Sequence, residues 1–201
     1  MSADMIKRAL ISVYDKSELE ELVKALEEQE VEIVSSGGTA HRIKGMGYPK
    51  IMEVSEYTGH PESPDGLLKT LHPKIHGGIL LDPDNSEHKE FMLRHGIQPF
   101  DLVCVNLYPF ERVIDEGGEY AKAIENIDIG GPTMIRSAAK AALLYDRIAV
   151  ITDSSQYGEL ARALRENRGK LPRELIRRLA EEAFKRTTSY DRAIVEYLEG
   201  R

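Results

Sequence analysis

Cysteine is almost absent from the 201 residues, and a lone Cys104 excludes a disulfide within the chain. That residue lies inside the apolar run Leu102–Val105 and reads as a buried structural thiol rather than a nucleophile. No apolar run approaches the roughly eighteen residues a membrane helix needs. The opening segment MSADMIKRALISVYDK lacks the long apolar core and small-residue cleavage site of a secretory signal, so the expected location is cytoplasmic, with no membrane partner. An excess of positive charge is also missing: the net charge is −7, which argues against a nucleic-acid partner because backbone affinity rests on clustered Lys and Arg. No G-x-G-x-x-G fingerprint and no clustered metal-ligand set occur, so neither a metal nor another cofactor is expected.

What is present is an ordinary globular composition, 41% hydrophobic and 30% charged, without internal repeats or low-complexity tracts. The first part alternates strand-like with helix-like segments. Strands are expected over 8–14, 31–35, 50–54, near 77–81, over 101–107 and over 147–152. A helix follows the capping box Ser17–Glu20, a short one starts at Thr39, and another spans 133–144. This order predicts an α/β fold, a parallel sheet with helices on both faces, over residues 1–153. Residues 154–201 predict a C-terminal helical layer without strands, its second helix running from about Pro172 to Leu198. Phe184, Tyr190 and Tyr197 in that helix read as core.

Chemistry-bearing residues recur where predicted strands end, which is where open parallel sheets bind ligands. Ser36-Gly37-Gly38-Thr39 stands directly between a strand and a helix. Its glycines can turn backbone N–H groups toward a phosphate, and the two hydroxyls can donate to it. A plain glycine turn with a capping hydroxyl would have the same sequence. Ser12-Val13-Tyr14-Asp15-Lys16 ends the first strand, and Lys16 can add charge to the same anion. Lys69-Thr70-Leu71-His72-Pro73 lies in the irregular stretch 55–76, of the kind that often forms a functional loop. His72 and His76 have a metal-pair spacing, but Pro73 disfavours helix there and nothing completes a site. Asn106-Leu107-Tyr108-Pro109 ends the fifth strand. Asp128-Ile129-Gly130-Gly131 opens a helix on which Arg136 and Lys140 share one face.

The segments ISVYDKSEL, SSGGTA, DGLLKTLHPKIHGGIL, NLYPF, IENIDIGGPTMIRSAAK and KRTTSYDRAI resemble, in order and spacing, the IMP cyclohydrolase domain family of bifunctional purine biosynthesis enzymes. The resemblance covers essentially the whole chain and implies a methylglyoxal-synthase-like fold. It implies an enzyme that closes the second purine ring on a phosphorylated ribotide, with formylation supplied by a separate enzyme. A homodimer is compatible with it. Carried over by motif, Lys140, Asp128, Tyr108 and Lys69 are the expected catalytic residues, with Lys140 as proton donor or acceptor. Ser36, Gly37, Gly38, Thr39, Lys16 and Thr70 are expected at phosphate and ribose, and Val105, Asn106 and Ile129 along the base. Ser12, Tyr14, Leu67, Gly130 and Gly131 complete the expected substrate contacts. Tyr14 stands where the family has a serine, Leu67 where it has an arginine, and Ala141-Ala142 where it has Asn-His. On the same fold, a methylglyoxal synthase-like lyase and a non-catalytic nucleotide-sensing module are the alternative readings.

Overall fold

In the computed structural model, which describes residues 2–108, 110 and 120–200, five short strands form one parallel sheet. They are β2 (Arg8–Ser12), β3 (Glu32–Ser35), β4 (Ile51–Glu53), β5 (Leu102–Val105) and β6 (Ala149–Ile151), in the order β4-β3-β2-β5-β6. Each of β2, β5 and β6 is buried along nearly its whole length, as strands covered on both faces must be. The sheet grows outward from β2 through β3 to β4, and in the opposite direction from β5 to β6. With right-handed crossovers, this reversal puts the helix after β2 and the helix before β6 on opposite faces.

On one face α1 (Leu19–Glu28) packs against α8 (Tyr157–Glu166). Leu19, Leu22, Val23 and Leu26 supply the buried stripe of α1 at helical spacing. On the other, α7 (Gly130–Tyr145) lies over β5 and β6 and is itself covered by α4 (Pro73–Leu80) and the long α9 (Arg173–Glu199). The other α-helices among the described residues include α2 (Gly37–Gly45), α3 (Val54–Thr58), α5 (Ser86–His95) and α6 (Tyr120–Glu125). Tyr190 of α9 is fully buried, while Phe184 and Tyr197 pack partly buried against the core, as expected of these aromatics.

Five local expectations are corrected. Residues 77–81 are not a strand, because their segment belongs to α4. His72 caps that helix, its Nδ1 accepting from Lys74 N–H at 3.1 Å, and Pro73 occupies the first turn, where its missing N–H costs nothing. Pro73 therefore starts a helix just after His72 rather than preventing one. Gly78 is needed because α4 meets the chain entering β5 so closely that a Cβ there would stand 2.4 Å from the Gln98 carbonyl oxygen.

The stretch after Ser154 is not free of strands either. β7 (Lys170–Pro172) pairs antiparallel with β1 (Ser2–Met5), a two-stranded sheet that joins the first residues to the segment just before α9. The Ser17–Glu20 capping box does not form. Helix α1 begins at Leu19 after Glu18 in a left-handed conformation, and Ser17 instead bonds to Asp15 through both its N–H and its hydroxyl. Finally, α2 begins at Gly37, two residues before the expected Thr39.

Candidate functional site

The direction of chain progression reverses between β2 and β5, and side chains beyond the carboxyl ends of these two strands face a crevice. Asn106, just past β5, fixes the loop after β2. Its Oδ1 accepts from the N–H groups of Tyr14 at 2.6 Å and Asp15 at 3.1 Å, and its Nδ2 donates to the Asp15 carbonyl at 2.8 Å. The Tyr14 and Tyr108 rings then meet with centroids 4.4 Å apart. Beside them opens a cleft of about 340 Å³. Of the residues expected at the site, Ser12, Tyr14, Leu67, Lys69, Thr70, Val105, Asn106, Tyr108, Asp128, Ile129, Gly130 and Gly131 line it. Pro109, the end of the Asn106–Pro109 motif, lies outside the described residues.

The segment between β3 and α2 adjoins this cleft through a hydroxyl pair, Ser12 Oγ and Ser36 Oγ, 2.9 Å apart. Gly37 adopts φ +50°, a conformation that favours glycine, and it opens the helix. Two ammonium groups converge on this turn. A Cβ on Gly37 would be 3.7 Å from Lys69 Nζ, and one on Gly38 would be 3.9 Å from Lys16 Nζ. Two lysines, free space over paired glycines and the positive end of α2 make a cradle for an anion. Glu62, which the sequence did not flag, also faces it, its Oε1 3.9 Å from the same Gly37 position.

Thr39 departs from its expected role as a phosphate donor. Its hydroxyl donates to the Val13 carbonyl at 2.9 Å and accepts from the Val13 N–H at 3.1 Å, and the residue is buried. With its only proton committed to backbone, Thr39 ties α2 to the end of β2, whereas Ser36, also buried, pairs with the Ser12 hydroxyl, where either oxygen can be the donor.

At the start of α7, Asp128 Oδ1 accepts from Gly131 N–H at 2.8 Å and Oδ2 lies 3.4 Å from Tyr108 N. The Asp128 N–H donates to the Tyr190 hydroxyl at 2.8 Å, so an aromatic that reads as plain core also holds the acid in place. Nothing in the sequence marks Tyr190 for this, because its partner is 62 residues away. The paired glycines answer to close approach: a Cβ on Gly131 would fall 2.4 Å from Asp128 Oδ2, and one on Gly130 2.6 Å from Thr70 Oγ1.

His76, behind Thr70, shares a 3.3 Å hydrogen bond with Ser137 of α7. Burial holds its pKa below the ordinary 6.5, against a smaller opposing hydrogen bond with the Thr70 backbone. Among the described residues, no group of three or more His, Cys, Asp or Glu is placed to hold a metal ion.

Lys140 is not brought to this cleft by its own chain. It does not line the cleft and is exposed on α7, six residues beyond Met134, the last residue of that helix to line it, or about 9 Å along the helix at ~1.5 Å rise per residue. On the same face, the Arg136 guanidinium lies 5.7 Å from the Phe184 ring centroid.

Residues 18–133 match the MGS-like domain family, and residues 138–201 match the AICARFT/IMPCHase bienzyme family. The chain is 50% identical over 189 residues to a bifunctional purine biosynthesis protein PurH of Bradyrhizobium diazoefficiens, covering 94% of this chain and 35% of that protein. A PurH of Cutibacterium acnes is 48% identical over 196 residues, which are 98% of this chain and 37% of the relative. The chain thus spans about a third of the length of these relatives. Among solved structures, one described as the crystal structure of ForH superposes with a TM-score of 0.79 at 27% identity, covering 95% of this chain and 98% of that one.

Proposed function

Because the chain belongs to the MGS-like domain family and continues into a segment of the AICARFT/IMPCHase bienzyme family, we propose that it is an IMP cyclohydrolase. The reaction is ring closure and dehydration of the ribotide of 5-formamidoimidazole-4-carboxamide to IMP. One observation carries the reading: Lys69, Tyr108 and Asp128 line a single cleft whose edge adjoins the two-lysine anion cradle at Gly37-Gly38. A phosphate in that cradle, bound by Ser36, Lys16 and the α2 backbone, would direct the heterocycle into the cleft between Val105, Asn106 and Ile129.

The carboxamide nitrogen must attack the formyl carbon of the same molecule. Holding the two groups face to face therefore removes much of the barrier. Charge then develops on the formyl oxygen, which leaves as water carrying two protons, one lost by the attacking carboxamide nitrogen and one lost by the formamido nitrogen as the ring C=N bond forms. Lys69 stands between cradle and cleft and is assigned to that oxygen as stabiliser and proton donor. Asp128, fixed by Gly131 and Tyr190, is assigned to take the proton from the attacking nitrogen, with Tyr108 beside it. Lys140 enters this scheme only through a second chain that carries it to the cleft.

The proposal covers ring closure alone. The test is a substrate panel with the purified chain. The formamido ribotide should be converted to IMP, and dihydroxyacetone phosphate should be left unchanged. Release of methylglyoxal, or no turnover of either, would overturn the assignment. Lys140→Ala sharpens it: an unchanged kcat leaves the chemistry to Lys69, whereas a large fall in kcat requires the second chain.

A further inference from the structure

Large apolar side chains in water are ordinary one at a time, but here several gather at one place. Tyr14, Tyr108, Ile129 and Leu67 are 46, 40, 60 and 71% exposed, and all four line the same cleft. Two of the cleft's polar groups also serve the fold: Asn106 holds the Tyr14 loop, and Asp128 holds the start of α7. The anion cradle lies to one side, at Gly37-Gly38.

Tyr14 is the best fixed of the exposed set. Its N–H is held at 2.6 Å by Asn106, and the next residue is anchored by the same side chain and by Ser17. Its ring rests on Tyr108 at 4.4 Å between centroids, tilted by 53°. An aromatic held this way loses little freedom when a flat ligand settles on it.

We propose that Tyr14 is a specificity-determining residue, packing against the planar nitrogen heterocycle of the ligand while Leu67 and Ile129 form the apolar rim of the cleft. The inference rests on the proposed function for the ligand, a heterocycle carried on a phosphorylated ribose. It divides recognition in two: the lysine cradle reads the phosphate, and Tyr14 reads the ring.

Calorimetric binding of two probes separates these parts. IMP carries both phosphate and heterocycle, whereas ribose 5-phosphate carries only the former. The wild-type chain should prefer IMP. Tyr14→Ser should weaken IMP about ten- to hundred-fold, the range expected for one lost base–aromatic contact, and leave ribose 5-phosphate unchanged. Tyr14→Phe should restore the preference, because the ring rather than the hydroxyl makes the contact. Melting curves check that each variant is folded; Tyr14 is half exposed, so its replacement should be tolerated.

Equal weakening of both probes, or an unchanged preference in Tyr14→Ser, would overturn the inference while leaving the proposed reaction standing if the wild-type chain makes IMP. A wild-type chain with no preference for IMP would remove both the reading of the cleft and the role of Tyr14.

Discussion

The two ends of the parallel sheet are built from similar side chains and put them to opposite uses. At the amino end Asp101, Arg147 and Arg8 turn their charges toward the chain itself. Asp101 Oδ2 accepts from the N–H groups of Lys7 and Arg8 at 2.8 and 3.0 Å, and burial raises its pKa. Arg147 donates to the carbonyls of Phe100, Ile79 and Leu81, joining the starts of β5 and β6 to α4. The Arg8 guanidinium pairs with Glu32 and lies over the rings of Tyr57 and Phe100.

At the carboxyl end, paired glycines clear space in front of two lysines, and aromatic faces stay in water. Polar residues beside strand ends are therefore not diagnostic of a site. What separates function from framework here is access: Arg8 is buried and Asp101 partly buried against the chain, whereas Tyr14, Tyr108 and the two lysines keep surface that a ligand can reach.

Substitution at the two ends should accordingly separate rate from stability, and the largest effect belongs to Asp128. Asp128→Asn keeps the shape and the acceptor for Gly131 but removes the base. Steady-state kinetics should show kcat lowered by about 10²–10⁴-fold with KM changed only a few-fold, and the melting temperature should hold. At the other end, Arg147→Met leaves three carbonyls without their donor. A loss on the order of 3 kcal/mol is expected, lowering Tm by roughly 6–12 °C in a chain of this size, with kcat of the folded fraction unchanged. A variant that moved both quantities equally would erase the distinction between the ends.

A smaller effect tests the same distinction within one turn. Ser36→Ala should raise KM about ten-fold and spare stability, since the phosphate does not change during the reaction. Thr39→Val should do the reverse, costing roughly 1–3 kcal/mol of stability because the buried Val13 backbone groups lose their partner. If Thr39→Val raised KM as Ser36→Ala does, its hydroxyl would be serving ligand after all.

Neighbouring Ser36 and Thr39 also show what the sequence can and cannot convey. The alternation of apolar runs with helical patterns was enough to place the parallel sheet, and strand ends drew attention to Ser12, Asn106 and the two glycine pairs, which the fold gathers at one end of the sheet. Local pattern does not say which partner a hydroxyl meets, and Val13 stands 26 residues from Thr39. The same limit hid Tyr190 behind Asp128. The segment 77–81 misled because a short apolar run has no period long enough to tell strand from helix, and the decisive facts were the His72 cap and the close approach at Gly78. β1 and β7 are short and pair across nearly the whole chain, so neither carries a strand signal of its own. Lys140 illustrates the converse: a residue can match a motif in sequence while it stands outside the lining of the cleft in one chain.

The smallest expected effect is a dependence on pH. His76 links α4 to α7 behind Thr70, and burial depresses its folded pKa below 6.5. Its contribution to stability is full above that value and is lost as pH falls through it, because the unfolded chain then binds a proton that the folded one resists. Between pH 7 and 5 the wild-type Tm should fall more steeply than that of His76→Gln. Parallel slopes would mean that another group governs this range.

The most direct test of the account is the rate at which the purified chain alone closes the ring of the formamido ribotide at neutral pH with a chelator present. Product absorbance should rise in proportion to enzyme, and Asp128→Asn should abolish most of that rise. A rate equal to that of buffer, or one restored only by adding a divalent ion, would contradict it.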